Sequence, residues 1–411
     1  MERPWELCKD KRMSTKSLIA VLTVLLVSAG CGRTEPTVTP MPPSATPTTI
    51  LPTNTPLPTA TRTPIPPTAT PVPSTLRAEL QDAADTPTPP VTAATRTPSA
   101  PPLPRPEPLP VLAQWSGTEG PVYSVDWSPD GRTIATTGRG HVRLWDGETY
   151  EELATLQDFG GFVWSARWSP DGRVLAVSDA AGPIRLYDTR TYTVQSTLGE
   201  ESVHHIAWSP DGKWLAAGNP FRRYVQVWDV ETEALVCELK GNIGVSGLAW
   251  SPDGNTLAVG QYDAAVVLWR MRNCAQLGRL IDGEDILIEN EAQSLAWSPD
   301  GRLVAYIQRH DGGWRIWDTQ TGELLQRVFA HNSWGLGLAW SPGRPLVASV
   351  GWDSAVRIWD VETGQAVGAG ECGASAFYSV DWSPDGRRVV AGRGLYHGWN
   401  AVETLCVVEV P

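Results

Sequence analysis

The pentapeptide Trp-Ser-Pro-Asp-Gly begins at Trp127, Trp168, Trp208, Trp250, Trp297 and Trp382, and a variant, Trp340-Ser-Pro-Gly-Arg, fills the remaining place. The steps between these seven tryptophans are 41, 40, 42, 47, 43 and 42 residues. A near-fixed period in this range means that one supersecondary unit repeats and that neighbouring units bury each other's faces. In the first unit, Val122 to Trp127 reads as a strand, with Val125 and Trp127 on one face by period-two alternation. Ser128-Pro129-Asp130-Gly131 turns the chain: Pro presets φ, Asp accepts nearby N–H groups, and Gly tolerates positive φ. Further strands follow at 132–137, 142–146 and 152–156, giving four short antiparallel strands per unit.

A lone four-stranded sheet of this kind leaves both faces apolar and wet. Packing such sheets face to face in a ring covers them and leaves only short edges. Tryptophan fills the space between sheets. Of the 20 Trp, seven stand at the first-strand position and five more at the third-strand position: Trp145, Trp228, Trp269, Trp317 and Trp359. The fold expected for residues 109–411 is therefore all-β, with seven blades of four strands. Leu405–Val410 matches the third strand of the other units, and the segment from Leu109 to Trp115 reads as a lone strand.

The residues before the repeats behave differently. Of the 36 Pro, 23 fall in residues 32–110, together with 19 Thr and no aromatic residue. Such a segment cannot bury enough apolar surface to offset the entropy of ordering. Its prolines bias it toward extended polyproline II, at about 3.1 Å per residue, with an extended limit on the order of 240 Å. Residues 32–108 are read as a disordered Pro/Thr-rich linker, a semi-stiff stalk. Ahead of it, Lys9, Lys11, Arg12 and Lys16 precede fourteen uncharged residues, Ser17 to Gly30. That run is short of the roughly 20 apolar residues of a spanning helix and matches the core of an export signal. Met13 makes a better start than Met1, which would leave Cys8 untranslated.

Two resemblances follow. Ser28-Ala29-Gly30-Cys31 resembles the end of a bacterial lipoprotein signal, which makes residues 1–31 the signal segment and implies that Cys31 becomes the lipidated first residue. Ser28 departs from that family, which prefers Leu there; a plain secretory signal or an uncleaved anchor is the alternative. Residues 111–411 resemble the WD-repeat (WD-40 type) β-propeller family, which implies that the strand from Leu109 to Trp115 completes the last blade and closes the ring. Their third strands close with Trp145-Asp146, Trp228-Asp229, Trp317-Asp318 and Trp359-Asp360, with Tyr187-Asp188 in the second unit and a departure at Trp269-Arg270. The family's structural His-Ser-Asp-Trp network fits His331, Ser349, Asp353 and Trp359. A rival, the Tol-type periplasmic propellers, shares the Ser-Pro-Asp-Gly turn but not the recurrent Trp-Asp.

The resemblance also implies where a partner docks. Four residues before each first-strand Trp stand Tyr123, Trp164, His204, Ser246, Gln293, Leu336 and Tyr378, a row that lines the channel mouth in the family. Nearby loops add Arg139, Phe221, Tyr262, Arg309 and Trp352; aromatic and Arg side chains are favoured at binding hot spots. Ordinary packing between blades is the alternative role for each. Cys372, on the connection into the last blade, and Cys406, in its third strand, fall on one ring face. They either bridge or stay as buried thiols.

No catalytic, metal or cofactor motif stands out. Gly392-Arg393-Gly394 reads as a connecting loop rather than part of a dinucleotide site. The acidic stretch from Asp282 to Glu291 reads as a solvated loop rather than a Ca²⁺ site. Only His204 and His205 offer titratable groups near the channel. The net charge of −12, and of −14 over the repeats (23 basic against 37 acidic residues), argues against nucleic acid and for a basic partner surface. The expectation is an exported, membrane-anchored, non-enzymatic and monomeric propeller that binds protein or peptide. An envelope receptor for carbohydrate or a small ligand is the alternative.

Overall fold

The computed structural model describes residues 106–116, 120–241, 243–282, 291–373, 376–393 and 404–411. The signal segment with Cys31, the linker through residue 105, and most of the acidic stretch lie outside the described residues. Those described form strands and turns, with no helix among them.

Two strands precede the blades, β1 (Glu107–Pro108) and β2 (Val111–Ser116). Blade one is β3 (Ser124–Trp127), β4 (Thr133–Thr137), β5 (Val142–Asp146) and β6 (Glu152–Leu156); blade two is β7 (Val163–Trp168), β8 (Val174–Asp179), β9 (Ile184–Asp188) and β10 (Thr193–Leu198). Blade three is β11 (His205–Trp208), β12 (Trp214–Gly218), β13 (Tyr224–Asp229) and β14 (Ala234–Lys240); blade four is β15 (Val245–Trp250), β16 (Thr256–Gln261), β17 (Val266–Arg270) and β18 (Ala275–Leu280). Blade five is β19 (Ala292–Trp297), β20 (Leu303–Gln308), β21 (Gly313–Asp318) and β22 (Leu324–Phe329); blade six is β23 (Gly335–Trp340), β24 (Leu346–Gly351), β25 (Ala355–Asp360) and β26 (Ala366–Glu371). Blade seven is β27 (Phe377–Trp382), β28 (Arg388–Arg393) and β29 (Thr404–Glu409), with β2 as its fourth strand. The result is a seven-bladed β-propeller.

Each Ser-Pro-Asp-Gly turn is built the same way. In blade one, Ser128 Oγ donates to Asp130 Oδ1 at 2.7 Å and accepts the Thr133 N–H at 2.9 Å. Gly131 sits at φ +72°, where only glycine is free of strain. Blade six lacks the aspartate, and there Ser341 Oγ is buried without a hydrogen-bond partner. The Trp-Asp aspartates pin the turn between third and fourth strands: Asp146 Oδ1 accepts the N–H groups of Glu148 and Thr149 at 2.9 and 2.7 Å. Blade four has Arg270 instead. Its turn carries Cys274, at φ +53°, bonded as a disulfide to Cys237 of blade three.

Tryptophans lock blade to blade. Trp208, Trp250, Trp297 and Trp382 donate Nε1–H to the carbonyls of Arg167, Ala207, Ala249 and Ala339 in the preceding blade, at 3.0 to 3.1 Å. Truncating such a side chain costs about 3–5 kcal/mol.

The pairing at the N-terminal end differs in one respect from the sequence reading. Glu107 and Pro108, assigned there to the linker, pair in parallel with Gly368 and Ala369 of β26, so blade six has a fifth strand. Leu109 is buried in the core between blades six and seven. β2 then runs antiparallel to β29, with Gln114 opposite Cys406. In each blade the first and third strands run toward the Ser-Pro-Asp-Gly turns, and the second and fourth run away from them. Being parallel to β26 and antiparallel to β29, β1 and β2 both run from the turn face toward the opposite, mouth face. The first described strand therefore starts at the turn side.

Two smaller readings change. Gly392 and Arg393 belong to β28 rather than to a connecting loop. Asp282 is not solvated: it is buried, with Arg315 at 3.4 Å and a second contact to Arg327.

Candidate functional site

The seven first strands surround a central channel of about 670 Å³. Counting back from each first-strand Trp gives three layers. The mouth layer, four residues back, holds Tyr123, Trp164, His204, Gln293, Leu336 and Tyr378 on the channel wall. The waist, three residues back, is small in six blades: Ser124, Ser165, Gly247, Ser294, Gly337 and Ser379; the third has His205. The floor, one residue back, is alanine in blades three to six (Ala207, Ala249, Ala296, Ala339). In blades seven, one and two it is Asp381, Asp126 and Arg167.

The mouth is aromatic on the side of the charged floor. Tyr123 lies between Tyr378 and Trp164, with ring centroids 6.2 and 5.4 Å away. Trp164 stacks on His204 at 4.2 Å, and His204 meets Phe221 edge-on at 5.9 Å. Phe221 is 77% exposed. Phe162 joins the cluster at 5.2 Å from Trp164, and the exposed Arg139 lies 5.8 Å from its ring. A second cluster sits over blades five and six, where Trp334 and Trp352 lie 4.3 Å apart, with the Arg309 guanidinium 4.6 Å from Trp334. Arg309 is held by Glu291 at 3.0 Å, and Tyr262 lines the channel beside it.

Of the twelve residues expected at the docking face, eight line the channel: Tyr123, Trp164, His204, Gln293, Leu336, Tyr378, Tyr262 and Arg309. Arg139, Phe221 and Trp352 stand on the surrounding mouth face. Ser246 is buried, and its Oγ donates to the Ala292 carbonyl of the next blade at 2.8 Å. Phe162 and Trp334 were missed because they lie on loops between blades, outside the two counted positions. The charged floor was missed although its signal was legible: the residue before each first-strand Trp departs from Ala in three consecutive blades.

The floor is tightly bonded. Asp381 Oδ2 accepts the Trp127 N–H and Asp126 Oδ2 accepts the Trp168 N–H, both at 2.8 Å. Arg167 Nη1 reaches Ser124 Oγ at 2.8 Å, the Val125 carbonyl at 3.0 Å and Asp126 Oδ1 at 3.4 Å. Burial raises the Asp126 carboxyl to about 6, against the opposing effect of Arg167. Burial, with the Asp126 charge adding to it, raises Asp381 to about 7. Desolvation lowers His204 to about 4 and His205 to about 3, so both imidazoles are neutral at pH 7.

The network in blade six is complete. His331 Nδ1 lies 2.7 Å from Asp353 Oδ1 and its Nε2 2.8 Å from Ser349 Oγ, which accepts Trp359 Nε1–H at 2.8 Å. Arg357 donates to Asp353 Oδ2 at 2.7 Å. Desolvation lowers the His331 pKa. Ser349 Oγ, which accepts from Trp359, is free to donate its own hydrogen to His331 Nε2. His331 is buried, and its bonds to Asp353 and Ser349 tie the loop before blade six to the sheet. Among the described residues, no cluster of three or more metal-ligating side chains occurs.

Comparison with known proteins gives five matches to one family model, "WD domain, G-beta repeat", at residues 109–146, 150–188, 191–229, 233–270 and 322–360. The chain is similar to Protein HIR1 of Yarrowia lipolytica, 26% identical over 66% of this chain and 23% of that protein. It is also similar to Kinesin-like protein KIF21B of Homo sapiens, 27% identical over 39% of this chain and 10% of that protein. The chain thus spans under a quarter of the length of these two relatives.

Proposed function

The chain is a WD-repeat β-propeller, and on that premise we propose that it is a non-enzymatic scaffold that binds a protein or peptide at its mouth face, exported and tethered to a membrane through Cys31. Propellers of this kind generally bind proteins rather than catalyse reactions. One observation carries the reading: the aromatic and arginine side chains gather on the mouth face, whereas β1 and β2 run from the turn face. β1 and β2 pair with the outer strands of blades six and seven, so they do not cover the mouth cluster.

Two disulfides among the described residues, Cys237–Cys274 and Cys372–Cys406, support an oxidising compartment. The short apolar run before Cys31 and the Pro/Thr stalk support export and anchoring. Cys31→Ser should release the protein from membranes and abolish incorporation of labelled palmitate; unchanged fractionation and labelling would refute the anchor. The double change Trp164→Ala with Trp352→Ala should keep the fold and lose the partner in pull-downs from membranes.

The Trp334–Trp352 pair favours a second reading, a carbohydrate partner, because flat aromatic faces suit sugar rings. Glycan arrays against peptide arrays separate the two.

A further inference from the structure

The charges on the channel floor do not balance. Arg309 is matched by Glu291 at 3.0 Å, and Arg167 by Asp126 at 3.4 Å. Asp381 accepts a backbone N–H across the blade seam, that of Trp127, and shares the Arg167 charge with Asp126. His204 and His205 bring no charge at neutral pH. Two carboxylates therefore face one guanidinium on the floor, leaving one negative charge that burial makes costly. A proton can quench it at low pH; at higher pH a cation is needed.

The space above Asp381 suits an organic cation rather than a bare ion. Across the channel from Asp381, Ala207 and Ala296 of blades three and five line the wall, and their short side chains leave width for an alkyl chain. On the near side, Tyr378 and Tyr123 stand in the blades of Asp381 and Asp126, and Trp164 stands in that of Arg167. Aromatic faces attract ammonium and guanidinium groups, and do so most strongly where water is excluded.

We propose that the channel binds one organic cation, an ammonium or guanidinium on an alkyl stem, with its charge on Asp381 and its stem passing Tyr123, Trp164 and Tyr378. A basic side chain of a docked peptide has this chemistry, and the −14 charge of the repeats draws such a partner in. The inference deepens the reading of the mouth as a docking surface and names the chemistry recognised there. Arg167 is a competitor for the same charge, and Asp126 keeps it occupied.

The test uses the full chain and small probes, so that it is read without any protein partner. Binding of n-butylammonium, n-butylguanidinium and neutral 1-butanol is measured by calorimetry at pH 6 and pH 8. Both cations should bind and butanol should not, with affinity for the cations rising about tenfold from pH 6 to pH 8 as Asp381 loses its proton. Asp381→Asn should weaken cation binding at least tenfold at pH 8. Asp126→Asn should weaken it too, because Arg167 then turns to Asp381. Arg167→Gln should strengthen it, a direction that a damaged fold does not produce. Equal binding of butanol, or unchanged cation binding by Asp381→Asn and Arg167→Gln, would overturn the proposal. Its failure would leave protein docking at the mouth untouched, and loss of docking with intact probe binding would do the reverse. A lysine peptide and its norleucine analogue then distinguish a peptide source from a free amine: only a peptide source makes the lysine peptide bind more tightly than n-butylammonium.

Discussion

Asp381 in the last blade accepts the backbone N–H of Trp127 in the first, 2.8 Å across the seam where the ring begins and ends. The bond is maintained whether or not the carboxyl is ionised, but the charge is expensive there. Asp381, raised to about 7, and Asp126, raised to about 6, hold protons in the folded state that they have lost in the unfolded state above pH 4. The folded state then binds more protons, so these two groups lower stability as pH rises from 4 to 7. His204, His205 and His331, with lowered values, act in the opposite sense below pH 6.5. The prediction is therefore made on a difference. Asp381→Asn should gain stability relative to the unsubstituted chain by on the order of 2 kcal/mol between pH 4 and pH 8 in urea melts. A constant difference across that range would contradict it.

Ser341 shows what the turn aspartate does by lacking it. Its hydroxyl is buried without a partner, two residues before Gly343. A Cβ built on Gly343 meets nothing within 4 Å, and Gly343 is not among the glycines with positive φ. Gly343→Asp should restore the acceptor seen in the other six blades and stabilise by about 1 kcal/mol in a denaturant melt. A loss of stability would mean that this turn has no room for the aspartate.

Cys237–Cys274 and Cys372–Cys406 close loops of 37 and 34 residues. Loops of this length constrain the unfolded chain by about 3–4 kcal/mol each. Non-reducing peptide mapping should recover both pairs, and reduction should lower the melting midpoint. Four alkylatable thiols in the exported protein would contradict both bridges.

Leu109 tests whether β1 and β2 are docked in solution. It is buried against Gly368 beside blade six. Leu109→Ala should cost about 2–4 kcal/mol and speed protease cleavage in residues 106–116. An effect under about 0.5 kcal/mol would mean that these strands contribute little to the ring.

Much of the blade architecture was legible because the signal repeats. Trp127 and Trp145 recur at matching places in other blades, and Ser128 to Gly131 spell a turn by backbone chemistry alone. What escaped depends on how the sheets meet. Cys274 takes a position filled by Tyr, Glu or Gly in other blades, so nothing local pairs it with Cys237. Asp126 and Arg167 look like surface residues in a period-two strand, and only the ring turns them inward. Pro108 resembles the linker before it in composition, yet it lies along an edge strand, where a missing N–H is tolerated.

The most direct test of the account is site-specific photo-crosslinking in intact cells. A benzophenone residue is placed at Phe221 on the mouth face and, separately, at Arg173 in a turn on the opposite face. The account predicts a discrete crosslinked partner from Phe221, absent when Trp164 is changed to Ala, and none from Arg173. A partner captured from Arg173 and not from Phe221 would contradict it.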